Sequence, residues 1–123
     1  MNELIETIFQ NFTVNGVKIP VSFLFYDGHE ESYVVYMQQD MSGSFGGDDD
    51  ILGYIQYYDF DVYSKGNFFP IIKRVKELLK ANGFVFQPSS TSPDMYETDT
   101  GYYHKTLNFA IMTECKEEST PSI

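Results

Sequence analysis

The sequence of 123 residues predicts one α+β domain, in which two helices pack on one face of an antiparallel or mixed sheet of four to five strands. Several segments alternate apolar and other residues with a period of two, which is typical of strands with one buried face. Two segments have apolar residues at helical spacing. The resulting order, α-β-β-β-α-β-β, is rich in strands and has few crossover helices, which favours the α+β class.

The first helix and the first strand are predicted within residues 4–25. Residues 4–12 carry apolar side chains at helical spacing, which indicates a short amphipathic helix. Asn15-Gly16 signals a turn, and residues 17–25 then alternate as in a strand with one buried face. The residues predicted on that face are Val17, Ile19, Val21, Phe23 and Phe25. Because Pro20 has no N–H to donate, we expect this strand to lie at a sheet edge or to contain a bulge.

Two more strands and a loop are predicted within residues 27–63. Asp27-Gly28 signals a turn, so residues 32–38 are expected to form the next strand of a hairpin. Residues 40–50 contain three glycines and four aspartates, and their small apolar surface does not offset the entropy of ordering them. We expect a mobile loop there, followed by a long strand over residues 51–63.

The second helix has the clearest pattern in the sequence. Residues 68–79 have one apolar and one charged face. We predict Asn67 as the N-cap, Pro70 in the first turn and Asn82-Gly83 as the helix end.

The end of the chain completes the predicted domain. Residues 84–87 and 102–113 are predicted to be strands, with the intervening turn at Glu97–Gly101. We expect residues 1–115 to form the single domain and residues 116–123 to form a flexible polar tail.

The charge distribution argues against nucleic acids and anionic membranes as partners. The formal net charge is −10, from 18 acidic and 8 basic residues, and no basic residue lies between Lys18 and Lys65. Contacts to phosphate groups need Lys and Arg. We therefore expect no direct nucleic-acid binding and no membrane association.

The cellular location is predicted from three features of the sequence. Cys115 is the only cysteine, which rules out an internal disulfide and fits a reducing compartment. No segment reaches the roughly 18 apolar residues of a membrane span. Residues 1–12 lack the basic start of a signal peptide, so we expect synthesis in the cytoplasm.

The sequence has no recognisable catalytic pattern, and we expect neither enzymatic activity nor a cofactor. The two histidines, His29 and His104, do not accompany a nucleophile motif such as G-x-S-x-G, and we expect both to be exposed. The only candidate metal ligands are Asp48, Asp49 and Asp50. Because they lack the alternating acids and distal glutamate of a calcium loop, we expect a solvated loop and no metal.

Three stretches in the second half carry a family resemblance. They are residues 57–65 (YYDFDVYSK), the helix over residues 68–79 ending at Gly83-Phe84, and residues 96–106 (YETDTGYYHKT) leading into the last strand. In this order they resemble the tail-completion proteins of long-tailed bacteriophages, a family of tail-terminator or tail-to-head joining proteins. The resemblance covers roughly residues 51–114.

The resemblance implies a structural virion protein that assembles in the host cytoplasm. Its subunits would form a closed homo-oligomeric ring, usually a hexamer, that caps the tail tube and docks to the head connector. Extended hairpins and loops commonly make the contacts of such rings. The expected assembly-interface residues are Ser42, Phe45, Asp48, Asp49, Asp50, Tyr96, Glu97, Tyr102 and Tyr103.

The 10 tyrosines and 11 phenylalanines also fit a surface made for contacts, because tyrosine combines an apolar ring with a polar tip. Two alternatives remain open. An acidic host-interaction protein that mimics DNA would present carboxylates regularly along a helix or strand. A small-molecule-binding domain would use a pocket lined by Tyr and Phe between the sheet and a helix.

Overall fold

The computed structural model describes residues 2–28, 30–45 and 53–114, with only the backbone described for residues 2, 40–45, 53 and 113–114. Two helices are present, α1 (Asn2–Ile8) and α2 (Phe69–Ala81), and one 3₁₀ turn spans Pro88–Ser90. The strands are β1 (Thr13–Val14), β2 (Val17–Lys18), β3 (Val21–Phe23), β4 (Ser32–Phe45), β5 (Gly53–Ser64), β6 (Val85–Phe86), β7 (Met95–Glu97) and β8 (Tyr102–Glu114).

A six-stranded sheet forms the centre of the fold, and β1 pairs with β2 separately. The order across the large sheet is β3-β4-β5-β8-β6, and β7 also pairs with β8. Because β5 and β7 both pair with Tyr103 and His104, they lie on opposite sides of β8. The two sheet edges are therefore β3 on one side and the β6 and β7 segments on the other.

One face of this sheet carries the hydrophobic core. The buried residues on this face are Val34, Tyr36, Tyr58, Phe60, Val62, Leu107, Phe109 and Ile111. Ile5 of α1 and the stripe Ile71, Ile72, Val75 and Leu79 of α2 belong to the same cluster. The α+β class and the two helices agree with the sequence prediction, whereas the sheet has six strands and not the expected four to five.

The predicted hairpin between residues 17–25 and residues 32–38 is wrong. The first of these segments divides at Pro20, and β3 pairs with β4 in parallel, with Val21 opposite Val34. The C=O of Pro20 accepts a hydrogen bond from the N–H of Val34 (2.9 Å). The expectation that Pro20 belongs to an edge strand or an irregularity agrees with this arrangement, since β3 is an edge strand.

The chain reverses after β3 at Leu24. The φ angle of Leu24 is 74°, and the N–H of Phe25 donates to the C=O of Phe23 (2.9 Å). These features define a γ-turn of the classic type, which is strained for a residue with a side chain. The hairpin expected from Asp27-Gly28 does not form, because the chain has already reversed at Leu24 and must reverse again before β4 to run parallel to β3.

The predicted mobile loop over residues 40–50 is wrong for its first half. Strand β4 continues to Phe45 and pairs with β5 as far as Gly53, with register shifts after Gln38 and Ser42. Pairing to a neighbouring strand satisfies backbone groups whatever the side chains, so a polar, glycine-containing segment can extend a strand. Residues 46–50, and residues 51–52 of the predicted third strand, lie outside the described residues.

The helix ends differ slightly from their predicted positions. The N-cap of α2 is Phe68, while the Oδ1 of Asn67 accepts a hydrogen bond from the N–H of Phe69 (3.1 Å). Pro70 lies in the first turn, as expected. Helix α1 ends at Ile8 and not near residue 12, although Phe9 and Phe12 remain buried beyond its end.

Candidate functional site

The outer face of the sheet, opposite the helices, carries four stacked rings. We call Tyr26, Tyr33, Tyr63 and His104 the aromatic column. Successive ring centroids are 4.5, 4.7 and 4.1 Å apart, and the ring planes differ by 30°, 14° and 12°. Such spacings are typical of favourable aromatic contacts.

Strand register explains the column. Tyr33 of β4 lies opposite Tyr63 of β5, and Tyr63 lies opposite His104 of β8. Side chains directly opposite each other in an antiparallel pair have Cβ atoms about 5 Å apart, which allows their rings to stack. Tyr26 belongs to the connection between Leu24 and β4, which we call the returning segment. The aromatic column therefore attaches the returning segment to the sheet.

Tyr102 holds the other end of the returning segment. Its ring meets Tyr33 edge-on at 5.4 Å, and its hydroxyl donates to the C=O of Glu30 (2.7 Å). The Nζ of Lys65 lies 5.1 Å from the centroid of the Tyr102 ring, within the range of a cation–π interaction. Tyr102 is thus a structural contact between β8 and the connection before β4.

His104 lies between two carboxylates. Its Nδ1 is 3.3 Å from Oε2 of Glu97, and its Nε2 is 3.7 Å from Oδ1 of Asp61. The prediction that His104 is exposed is wrong, since only 15% of its side chain is accessible beneath the Tyr63 ring and beside β7. Because the ring nitrogens point in different directions, the carboxylates do not converge on one ion.

Thr106 is the hydroxyl nearest to His104. Its Oγ1 is 3.5 Å from Nε2 of His104 but only 2.6 Å from Oδ1 of Asp61. The hydroxyl proton therefore points to the carboxylate. Activation of a nucleophile needs a base placed to take that proton, and His104 is not so placed in this geometry.

The neighbouring carboxylate, Asp59, is fully engaged within the sheet. Its Oδ1 accepts from Nδ2 of Asn108 (2.8 Å), and its Oδ2 accepts from Nε2 of Gln39 (2.8 Å). Asn108 is only 1% exposed and also donates to Oε1 of Gln39 (3.2 Å). This network satisfies the buried amide of Asn108.

Burial raises the pKa values of Tyr33 and Tyr63, so these two phenols of the aromatic column stay neutral at physiological pH. Burial, and secondly the charge of Asp61, raise the pKa of Tyr63 to about 12. Burial, followed by the influence of Tyr102 and Glu97, raises the pKa of Tyr33. Both phenols can therefore donate hydrogen bonds, and neither is poised as a base near neutral pH.

Exposed apolar side chains gather at both edges of the sheet. The β3-edge cluster consists of Phe23, Leu24 and Phe25, which are between 42% and 71% exposed. The β7-edge cluster consists of Phe69, Tyr96 and Tyr103, which are between 42% and 58% exposed. Contiguous exposed apolar groups of this kind mark interaction surfaces.

The β7-edge cluster has a fixed geometry. The rings of Tyr96 and Tyr103 are 4.8 Å apart across the β7–β8 pair, and Tyr103 lies 5.9 Å from buried Phe68. Phe69 follows at the start of α2. A cleft of about 480 Å³ separates Phe69 from Tyr103 and is also lined by Lys65.

The predicted interface residues fall into four groups. Tyr96 and Tyr103 are exposed and adjacent, whereas Glu97 and Tyr102 face the outer side and contact His104 and Tyr33. Glu97 ends β7, so the predicted turn begins one residue later. Ser42 and Phe45 lie near the end of β4. They pair with the start of β5, whereas Tyr103 of the β7-edge cluster pairs with its end. Asp48, Asp49 and Asp50 lie outside the described residues, as does His29.

Sequence reasoning missed the β3-edge cluster and the aromatic column. The alternation of residues 17–25 predicts that Phe23 and Phe25 lie on a buried strand face, whereas both side chains are exposed. The sequence contains part of the information needed to predict the aromatic column, because Tyr33, Tyr63 and His104 lie on the same face of their strands. The missing part is the strand register, which the sequence alone does not provide.

A wider cleft lies away from these features. It measures about 570 Å³, between the β1–β2 hairpin, residues 30–32 and the start of α2, and Lys18, Glu30 and Glu31 are among its lining residues.

Within residues 2–28, 30–45 and 53–114, no group of three His, Cys, Asp or Glu side chains suits a metal ion. Neither described helix has the length and apolar character needed to cross a membrane.

No protein-family model matches the sequence, and no curated protein is significantly similar to it.

Proposed function

We propose that this chain is a structural assembly protein whose subunits form a closed ring, as in the phage tail-completion proteins that residues 51–114 resemble. In this proposal the ring, most simply a hexamer, caps a tail tube and contacts a head connector. The protein assembles in the host cytoplasm and becomes part of the virion. It needs no enzymatic activity or cofactor for this role.

The observation that carries the proposal is the pair of exposed apolar clusters at opposite sheet edges. Five strand positions span the sheet from β3 to β7, so the two edges are about 19 Å apart at about 4.8 Å per strand spacing. Each cluster is too far from the other to be covered by it within one subunit. In a head-to-tail contact, the β3-edge cluster of one copy can cover the β7-edge cluster of the next.

The two clusters differ in composition, which favours head-to-tail contacts. The β3-edge cluster is a strained turn with two phenylalanines, whereas the β7-edge cluster combines tyrosines with a cleft. A contact between unlike surfaces is heterologous, and repetition of such a contact closes into a ring when the rotation per subunit permits it. Phe25, which is 71% exposed, is the side chain most available to enter the cleft beside Phe69.

Net charge sets the conditions for assembly. Each subunit carries a formal charge of −10, so identical subunits repel one another. Salt weakens this repulsion because the Debye length is about 10 Å at 0.1 M and about 3 Å at 1 M. Apolar contacts at the two edges are not weakened in the same way.

Sedimentation velocity over a range of protein concentrations, at about 50 and about 500 mM salt, tests the proposal. Self-association should increase with salt, and the protein should bind purified tail tubes of a long-tailed phage. A protein that stays monomeric in all conditions and leaves tubes unbound would overturn the assembly role.

The arrangement of carboxylates gives less support to DNA mimicry, since Asp59 and Asp61 form internal hydrogen bonds.

A further inference from the structure

A small cleft opens on the outer face between the returning segment and the sheet. It measures about 310 Å³, and its walls include Leu24, Phe25, Tyr33 and Met37. Its only charged lining residue is Asp61. Ligand sites commonly start at roughly 300 Å³, so this cleft suits one small group or one side chain.

Asp61 has an oxygen that its described neighbours do not use. Thr106 donates to Oδ1 (2.6 Å), and the nearby nitrogen of His104 also faces Oδ1 (3.7 Å). Both neighbours belong to β8, on one side of β5, whereas the cleft is lined by residues of β4, on the other side. Within the described part of the chain, no hydrogen bond reaches Oδ2 and no Lys or Arg pairs with Asp61.

Asp59 provides the contrast. It lies two residues away on the same strand and the same face, yet both of its oxygens accept hydrogen bonds from amides. Only 16% of the Asp61 side chain is exposed, so the carboxylate as a whole is largely shielded from water. A shielded carboxylate with an unused acceptor attracts a donor that carries positive charge.

The walls of the cleft favour an organic cation over a metal ion. A hard metal ion needs several oxygen ligands, and the cleft offers one carboxylate. Phe25 is exposed and supplies an aromatic face, which interacts favourably with guanidinium and alkylammonium groups, whereas both faces of the Tyr33 ring are covered by Tyr26 and Tyr63. We infer that the cleft beneath Phe25 binds a guanidinium or alkylammonium group through Oδ2 of Asp61. This inference goes beyond the proposed function and does not depend on ring formation.

The test uses the complete chain labelled with ¹⁵N at a concentration where it is monomeric. N-acetyl-arginine methylamide and methylammonium chloride are titrated separately, with sodium chloride as the ionic-strength control. Saturable shifts of the amide signals of Val35, Asp61 and Tyr63, absent with sodium chloride, are the expected result. Absence of such shifts with both organic cations would overturn the inference.

Variants identify the group responsible. Asp61→Asn should weaken binding of the arginine probe about tenfold, because it removes a charge-assisted hydrogen bond. Asp59→Asn is the matched control and should leave binding unchanged. Phe25→Ala changes an exposed wall residue and should weaken binding without affecting the fold. Equal binding by wild type, Asp61→Asn and Phe25→Ala would contradict the assignment.

A last arm distinguishes the two sources of such a cation. Unlabelled wild-type protein is added to the labelled chain, followed by an unlabelled variant in which Lys73 and Arg74 of α2 are changed to Ser. Shifts at the cleft that depend on these two basic residues identify the side chain of a second copy as the occupant. No shift with either protein, after binding of the arginine probe, identifies a free small cation or a different partner's side chain.

Discussion

The imidazole of His104 lies flat on the phenol ring of Tyr63, with centroids 4.1 Å apart and planes 12° apart. This contact joins β5 to β8 on the face that the helices leave uncovered. Tyr33 covers the other side of Tyr63, so Tyr63, one of the two inner rings of the aromatic column, has both faces in contact. The outer face of the sheet is therefore ordered by aromatic stacking.

Removal of the Tyr63 ring should destabilise the fold, while removal of the Tyr63 hydroxyl alone should not. Tyr63→Ala should lower the free energy of unfolding by about 1–3 kcal/mol, because two stacking contacts and a half-buried ring are lost. Tyr63→Phe keeps the ring and should change stability by less than about 0.5 kcal/mol. Urea denaturation at pH 7 measures both values, and equal losses would show that stacking is not the source of stability.

Alkaline pH should weaken the fold through Tyr63. Its pKa is raised to about 12 in the folded chain, whereas an unfolded tyrosine ionises near its ordinary value of 10.0. Below pH 10 both states are protonated, and the stabilising contribution of the neutral phenol is fully present. As pH rises from 10 to 12, only the unfolded chain loses the proton, so stability falls.

The test of this dependence compares wild type with Tyr63→Phe between pH 8 and pH 12. Tyr63→Phe cannot ionise at this position, so its stability should fall less steeply above pH 10. Tyr57→Phe is a suitable control, since Tyr57 lies on the same strand outside the column. If Tyr63→Phe and Tyr57→Phe showed the same slope as wild type, the column would have no part in the alkaline transition.

The core assignment gives a third prediction. Leu79 of α2 and Phe109 of β8 are both 0% exposed. Leu79→Ala and Phe109→Ala should each cost about 2–5 kcal/mol of unfolding free energy, since each leaves a cavity between helix and sheet. Val85→Ala, at a residue that is 60% exposed, is the control and should cost under about 0.5 kcal/mol. Losses at Leu79 and Phe109 no greater than at Val85 would contradict the packing.

The helix-on-sheet part of this fold could be predicted because its pattern is local. The stripe of α2 and the alternation in β5 and β8 each bury one side, and each is visible within a single segment. The partner of β3 could not be predicted in the same way. Its parallel pairing depends on a reversal at Leu24, a residue with no sequence preference for positive φ.

The candidate sites were predicted only in part for a related reason. Tyr96 and Tyr103 were identified from an aromatic sequence stretch, and they do meet at an edge. The alternation of residues 17–25 predicts a buried position for Phe25. Its actual surroundings depend on the turn at Leu24, which the alternation does not reveal. Asp61 could not be distinguished from Asp59 by sequence, because the difference lies in which neighbouring strand supplies the donors.

Duplex DNA should not bind to the isolated protein. With a formal charge of −10 and no basic residue between Lys18 and Lys65, the sequence provides no phosphate-binding stripe over this stretch. A gel-shift experiment at about 150 mM salt should therefore show no retardation at micromolar protein. Retardation of the DNA at this concentration would contradict the expectation that the acidic surface repels nucleic acid.

The most direct test of head-to-tail assembly uses one altered edge at a time. Phe25→Asp disables the β3-edge cluster, and Tyr96→Asp disables the β7-edge cluster; both residues are exposed, so both variants should fold. Each variant keeps only one of the two unlike surfaces. Neither should assemble alone, but an equimolar mixture should form one heterologous contact and stop at a dimer.

Sedimentation velocity of wild type, of each variant and of the mixture, at the salt concentration that favours assembly, measures this outcome. The account predicts higher oligomers for wild type, monomers for each variant alone and heterodimers for the mixture. A wild-type protein that stays monomeric, a single-edge variant that assembles as wild type does, or a mixture without heterodimers would contradict it.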